Sequence, residues 1–265
     1  MVTTNILTRL EVMNKIIIDK NILNNYSDKD ITIKDNTIYF LKNGEYNIEY
    51  LNCDNLNIEY NIMDNITVKL SVYATDNYLT NNDKYILNTN SNLSVFKFYN
   101  NNDVKENITI NLNGTHSKIN YSFSSICQKN EEYNIKIKHN NSYVESYISN
   151  KCLSLEKSKI NFNIDSILPK GNIGCIMDQN TKIIEMGNTD TKINPNMYIE
   201  EADVEARHGS VIGRFNNDDI FYLTSRGIPE SEATKLLIKG FILSNLQPDI
   251  NTRNKILENL NKNWR

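Results

Sequence analysis

Residues 107–112 read Asn-Ile-Thr-Ile-Asn-Leu, and 134–137 read Asn-Ile-Lys-Ile, the same phrase 27 positions on. Apolar side chains at every second position mark a strand with one buried face. The alternation extends outward in both directions. Upstream it recurs at Ile31 and Ile33, at Ile58, Tyr60 and Ile62, and at Ile66, Val68 and Leu70. Downstream it returns at Ile160, Phe162 and Ile164, with Asn, Asp and Ser turns between the runs. At Leu93 and Val95 the phase slips by one to Phe96 and Phe98, as at a bulge or a strand buried on both faces.

The runs recur at a nearly constant spacing: Ile66 to Leu93, Ile108 to Ile135, Ile135 to Ile160. Such a period, in the mid-twenties, suits stacked coils, each burying its face on the next. The expected fold is mainly β, a right-handed β-helix or solenoid over residues 31–215; the competing architecture is a β-sandwich with evenly spaced strands. Residues 1–30 are expected to be a short helical segment, because Ile6, Leu7, Leu10, Met13, Ile16 and Ile17 fall at helix-like spacings.

Residues 216–265 change period again and read as a helical subdomain. Asn216 or Asn217 can cap a first helix with Asp218 and Asp219 in its opening turn, and Gly227 can end it. Pro229 opens a second helix whose apolar face is read as Ala233, Leu236, Leu237, Gly240 and Phe241. A last stripe holds Ile256, Leu257, Leu260 and Trp264.

Composition narrows the function. The 265 residues carry 29 basic and 32 acidic side chains, a net charge of −3, so no basic footprint points to nucleic acid. No run approaches the roughly 18 apolar residues of a membrane span, and Met1–Leu10 lacks the charged and apolar blocks of a secretory signal. Four cysteines without a C-x-x-C pair suit a reducing compartment, and a cytoplasmic location is expected. Forty-six asparagines and 36 isoleucines are attributed to AT-rich codons. No phosphate-cradling loop or nucleophile elbow occurs, and His116, His139 and His208 are scattered. An enzyme stays open at this point, although no acid, base and nucleophile set assembles in these residues.

Residues 187–241 differ in texture. Asn188-Thr189-Asp190, Pro195-Asn196, Asp203-Val204, His208-Gly209 and Val211-Ile212-Gly213 occur in order, followed by Phe221-Tyr222-Leu223, Ser225-Arg226-Gly227-Ile228 and Leu236-Leu237 before Gly240-Phe241. This stretch resembles the C-terminal core of the SufB/SufD family, the scaffolds of the SUF iron–sulfur cluster assembly system. The SufB branch typically has a cysteine pair near the segment matching Gly187–Asn196 and an acidic residue after the histidine. Here Gly209 follows His208 and the segment holds no cysteine, so the chain looks like the SufD branch. Only about 30 residues precede the first expected strand, where the family commonly has a longer helical region.

The resemblance implies a non-enzymatic scaffold that works with a SufB-like subunit and the SufC ATPase, or pairs with itself in isolation. It implies that His208 faces the SufB-like subunit and helps assemble a cluster; from the residues alone, a histidine sharing a face with Val204 and Ala206 reads more readily as a hydrogen-bonded core or interface residue than as a ligand. No tightly bound cofactor is expected, only transient iron or a cluster at an interface. The resemblance assigns ATPase docking to the tail helices, around Ile220, Phe221, Leu223, Arg226, Leu236, Leu237 and Phe241, which could equally pack on the end of the β body.

Cys127, Cys152 and Cys175 are spaced near the coil period and could stack as a thiol column or act as small buried hydrophobes, with Cys53 apart. The rival functions are a β-helical carbohydrate-active enzyme, which would need clustered outward carboxylates, and a carbohydrate-binding solenoid.

Overall fold

The computed structural model describes residues 14–75, 78–100, 103–248 and 250–263. Its strands in chain order are β1 (Asn14–Asp19), β2 (Tyr26–Ser27), β3 (Ile31–Lys34), β4 (Thr37–Phe40), β5 (Gly44–Leu51) and β6 (Asn55–Ile62). Next come β7 (Thr67–Ala74), β8 (Tyr78–Leu87), β9 (Asn92–Tyr99), β10 (Asp103–Leu112), β11 (Lys118–Cys127) and β12 (Asn130–His139). The last five are β13 (Glu145–Leu155), β14 (Lys159–Leu168), β15 (Cys175–Met186), β16 (Asp190–Ile199) and β17 (Val204–Gly213). Three helices follow: α1 (Asn217–Ser225), α2 (Glu230–Leu243) and α3 (Ile250–Asn263).

From β5 onward, odd-numbered strands join one sheet and even-numbered strands the other, each pairing in parallel with the strand two places on. One sheet has eight strands, from β1 to β17, and the other nine, from β2 to β16. This is a two-sheet solenoid, and the parallel pairing excludes the sandwich alternative, whose strands are antiparallel. The β2–β3–β4 turn at the N-terminal end is antiparallel, as is the single bridge between Asp19 and Ile22.

Alternation puts one face of each strand inside. Ile58, Tyr60 and Ile62, Ile108, Ile110 and Leu112, and Ile160, Phe162 and Ile164 are all buried in one continuous core. The coils widen along the chain as far as β15. Thr67 pairs with Asn92, Asn92 with Lys118, Lys118 with Glu145, and Glu145 with Ile176, so each step is longer than the one before it. One corner repeats through the stack as a left-handed residue: Asn65, Asn90, His116, Tyr143 and Gly174 all have φ between 55° and 67°. The His116 and Tyr143 rings stack at 5.3 Å. A Cβ on Gly174 would sit 2.5 Å from the Tyr143 ring, so any other residue at that corner would have to displace the ring.

Three expectations change. Residues 14–18 of the expected N-terminal helix are strand β1, and residues 1–13 lie outside the described residues. Three successive isoleucines satisfy either period; pairing with β5 selects the strand, with Ile16 and Ile18 buried and Ile17 exposed.

The helical tail does not close the end of the solenoid. It lies along the outer face of the eight-stranded sheet, where Phe98, Ile126, Leu153 and Ile184 pack with Ile238, Ile242, Leu246, Ile256 and Leu260. Asn245 Nδ2 donates to the Phe123 and Ser149 carbonyls at 2.8 Å each, and Lys255 Nζ reaches Glu49 at 2.6 Å. The inward stripe of α2 is Ala233, Ile238 and Ile242; of the expected face Ala233 is buried and Phe241 packs at its border, while Leu236 is exposed. Trp264 lies outside the described residues.

The cysteines do not form a column. Cys127 pairs in register with Ser154, and Cys152 with Ser125 and Ile183. Their sequence spacings fall short of the local coil steps, so each thiol lands at a different place along its strand. Each of the three is a buried free thiol.

The slip at Phe96 resolves as burial on both faces. Pairing of β9 with β11 is unbroken from Asn92 to Tyr99. Lys97 and Tyr99 point into the core while Phe98 lies under the helices.

Candidate functional site

The solenoid ends on β16 and β17, each at the edge of its sheet. In β17 the alternation Val204, Ala206, His208 continues the inward positions of β15, because Cys175 pairs with Val204, Met177 with Ala206, and Gln179 with His208. On β15 those positions are sealed: Cys175, Met177 and Gln179 are each at most 1% exposed. On β17 no further coil follows, and His208 is exposed despite its core-facing register. The reading of His208 as a satisfied core residue does not hold. Arg207 points outward, paired with Asp178 at 2.9 Å, as expected for a surface charge.

Beneath His208, Gln179 Nε2 donates to Ser166 Oγ at 2.7 Å, while its buried Oε1 has no hydrogen-bond partner. The two edge strands also carry exposed apolar side chains, Tyr198 and Ile199 on β16 and Val211 and Ile212 on β17. A long edge strand with free backbone groups and apolar side chains is a template for pairing with another chain. Chemically, His208 offers one imidazole. Among the described residues no group of three or more His, Cys, Asp or Glu could hold a metal ion, so the described residues do not by themselves supply a ligand set around His208.

The expected docking residues separate into two groups. Asn216 caps α1 by accepting from the Asp218 N–H at 3.0 Å, and Gly227 ends it at φ 85°. Phe221 is 73% exposed, Tyr222 56% and Leu236 42%, and the Arg226 guanidinium lies over Tyr222 at 4.8 Å. Ile220, Leu223 and Leu237 are half-buried. Phe241 belongs to the contact between tail and sheet, where its ring meets Phe215 edge-on and has Lys151 and Lys182 beside it.

Two buried polar clusters escape the sequence reading. Lys97, Asp83 and Glu106 meet inside the core, and Glu131 lies there with Ser125 and Tyr133. The signal for the first is present: alternation continued from Leu93 and Val95 lands on Lys97.

Residues 37–241, spanning the solenoid and α1–α2, match the family described as SUF system FeS cluster assembly, SufBD core domain. The chain belongs to the SufBD family. Among its relatives, the iron–sulfur cluster assembly protein SufD of Escherichia coli is 28% identical over 143 residues, 52% of this chain and 33% of that protein. The SufD of Bacillus subtilis is 28% identical over 116 residues, covering 43% and 26%. A SufBD family protein of Mycobacterium tuberculosis strain H37Rv is 50% identical over 48 residues, covering 18% and 12%. The chain thus spans about a third or less of the SufBD relatives it matches. No helix among the described residues is long and apolar enough to cross a membrane.

Proposed function

We propose that this SufBD-family chain is a non-enzymatic, SufD-like scaffold subunit in the cytoplasm, partnering a SufB-like subunit and the SufC ATPase in cluster assembly or iron entry. The observation that carries the reading is the open end of the solenoid, two unpaired edge strands with His208 on the core-facing side of the last one. A SufB-like subunit would continue one or both sheets there, and the histidine would become one ligand of a transient iron or cluster, which is cargo and not a resident cofactor. Without that subunit, a second copy of this chain would take the same edges.

The ATPase would dock on α1 and the outer side of α2, through Phe221, Tyr222 and Leu236 with Arg226 beside them. The family match and the relatives named SufD support this reading. Against the carbohydrate-active alternative, outward Glu45, Glu59, Glu145 and Asp178 are each tied to a lysine or arginine.

The test is co-purification of the tagged chain with the SufB-like subunit and the ATPase, with iron and sulfide measured on the isolated complex. Wild-type chain should retain both partners. His208→Gln should retain them with much less iron and sulfide, since glutamine keeps hydrogen bonding but is a poor iron ligand. Failure to retain either partner would sink the scaffold reading, and unchanged iron and sulfide would remove His208 from it.

A further inference from the structure

The middle of the core holds charges that the scaffold reading leaves unused. Lys97 Nζ lies 2.6 Å from Asp83 Oδ2 and 2.7 Å from Glu106 Oε1, and all three side chains are fully buried. Glu106 Oε1 also accepts from Asn81 Nδ2 and from the Tyr99 hydroxyl, each at 2.8 Å. Asp83 Oδ2 accepts from the Tyr85 hydroxyl at 3.2 Å. Two carboxylates against one ammonium would leave a net negative charge shut away from water, which costs several kcal/mol.

The hydrogen bonding points to the remedy. Asn81 Oδ1 and Glu106 Oε2 are buried and have no partner, although the two residues are paired in register on β8 and β10 and already share one N–H···O bond. Two orphaned acceptors on side chains already joined lack a single hydrogen between them.

We propose that Glu106 is a neutral carboxylic acid in the folded chain, donating its Oε2 proton to Asn81 Oδ1, so that amide and acid form a two-bond cyclic pair inside the solenoid. Asp83 then balances Lys97 and the cluster carries no net charge. The middle coils become a proton-linked element.

The surroundings favour the acid. Burial pushes the Glu106 carboxyl up, Lys97 pulls it down and Asp83 pushes it up again, with a raised net result. Burial also works against the Lys97 ammonium, and Asp83, the first of the charges that raise it, holds it in the charged form. The other titratable groups facing the cluster are the tyrosines: Tyr50 on β5, Tyr60 on β6, Tyr85 on β8, Tyr99 on β9 and Tyr121 on β11. All are raised well above the usual tyrosine value, by burial first, and stay neutral. Glu131 on β12 is a further buried carboxyl in the same core, raised by burial first. A folded carboxyl that holds its proton where the unfolded one has lost it makes stability fall as pH rises above the ordinary glutamate range.

The test labels the glutamate side-chain carboxyl carbons of the full chain with 13C and follows them by NMR from pH 5 to 9. Two carboxyls, those of Glu131 and Glu106, should keep protonated shifts at pH 7. In Glu106→Gln one of them should vanish, along with its protonated-acid band in the infrared difference spectrum. Glutamine can reproduce both bonds to Asn81, so this variant should fold and lose less stability than wild type as pH is raised. No protonated carboxyl in the wild type at pH 7, or a single one that vanishes in Glu131→Gln and persists in Glu106→Gln, overturns the proposal. Stability that rises with added potassium, with Glu106 ionised, overturns it in favour of a bound cation.

Discussion

Gln179 and His208 stand at the same register position on neighbouring strands, the first sealed in the core and the second open to solvent. One coil separates a buried position from an exposed one, and the chain places a histidine at the first position that is not covered. Because His208 packs against no further coil, His208→Gln should change the unfolding free energy of the isolated chain by no more than about 0.5 kcal/mol. Urea unfolding checks this. A loss of the size that buried substitutions produce, above about 1.5 kcal/mol, would mean that the imidazole supports the fold. The iron readout of the complex could then no longer be assigned to ligation.

The position of the tail changes what a truncation would show. Removing residues 216–265 uncovers Phe98, Ile126, Leu153 and Ile184 together, so the remaining solenoid is expected to aggregate and cannot report on docking. Phe221→Ser with Leu236→Ser is the informative variant, since both side chains are exposed. It should leave the thermal midpoint within a few degrees of wild type and reduce ATPase capture at least tenfold. Full capture by a folded double variant would place the dock elsewhere.

Beneath the helices the opposite holds. Ile242 is fully buried against the sheet, and Ile242→Ala should cost about 2–5 kcal/mol through lost contacts and the cavity left behind. A denaturant midpoint near wild type would show that the tail docks loosely.

The strands are legible because alternation survives in any coil: Ile108, Ile110 and Leu112 need no neighbour to be read. Register is not legible. It depends on the accumulated length of turns, which widens the step from coil to coil and moves Cys152 away from Cys127. Ile16–Ile17–Ile18 misleads because a continuous apolar run has no period. Leu236 falls on the other face because α2 is apolar on more than one side, and only the sheet beneath it selects Ile238 and Ile242. His208 is found through resemblance; its exposure cannot be read, because a strand does not reveal that it is the last.

Glu131 offers a pH test separate from the Lys97 cluster. Burial raises its carboxyl to about 8, while Ser125 and Tyr133 pull it down through hydrogen bonds. Between about 4.5, where the unfolded glutamate titrates, and about 8, the folded chain holds a proton that the unfolded chain has lost. Stability should therefore fall as pH rises through that window, by at most about 1.4 kcal/mol per unit from this group. Glu131→Gln should remove that part of the slope, gaining on wild type at pH 8 and not at pH 4.5. Parallel slopes in urea titrations of the two chains would show that Glu131 ionises normally.

The asparagines attributed to codon usage form a structure of their own. Along the outer face of the nine-stranded sheet, Asn107 donates to Asn82 Oδ1 at 2.9 Å, Asn134 to Asn107 at 3.1 Å, Asn163 to Asn134 at 2.8 Å and Asn194 to Asn163 at 2.8 Å. Asn107, Asn134 and Asn163 each accept from the coil after them and donate to the coil before them, so the ladder runs one way through five coils, as amide ladders do in stacked β structures. Such a row rewards asparagine at one position per coil and nothing else of that length, a selection invisible until register is known. The ladder makes the position within the row matter. Asn134→Ala breaks a bond on each side and should cost about 1–2 kcal/mol, at roughly 0.5–1.5 kcal/mol net per hydrogen bond with part of the loss recovered from water. Asn194→Ala, at the last coil, removes only the end of the row and should cost less than half as much. Equal and negligible losses for both in urea unfolding would return the asparagines to codon bias.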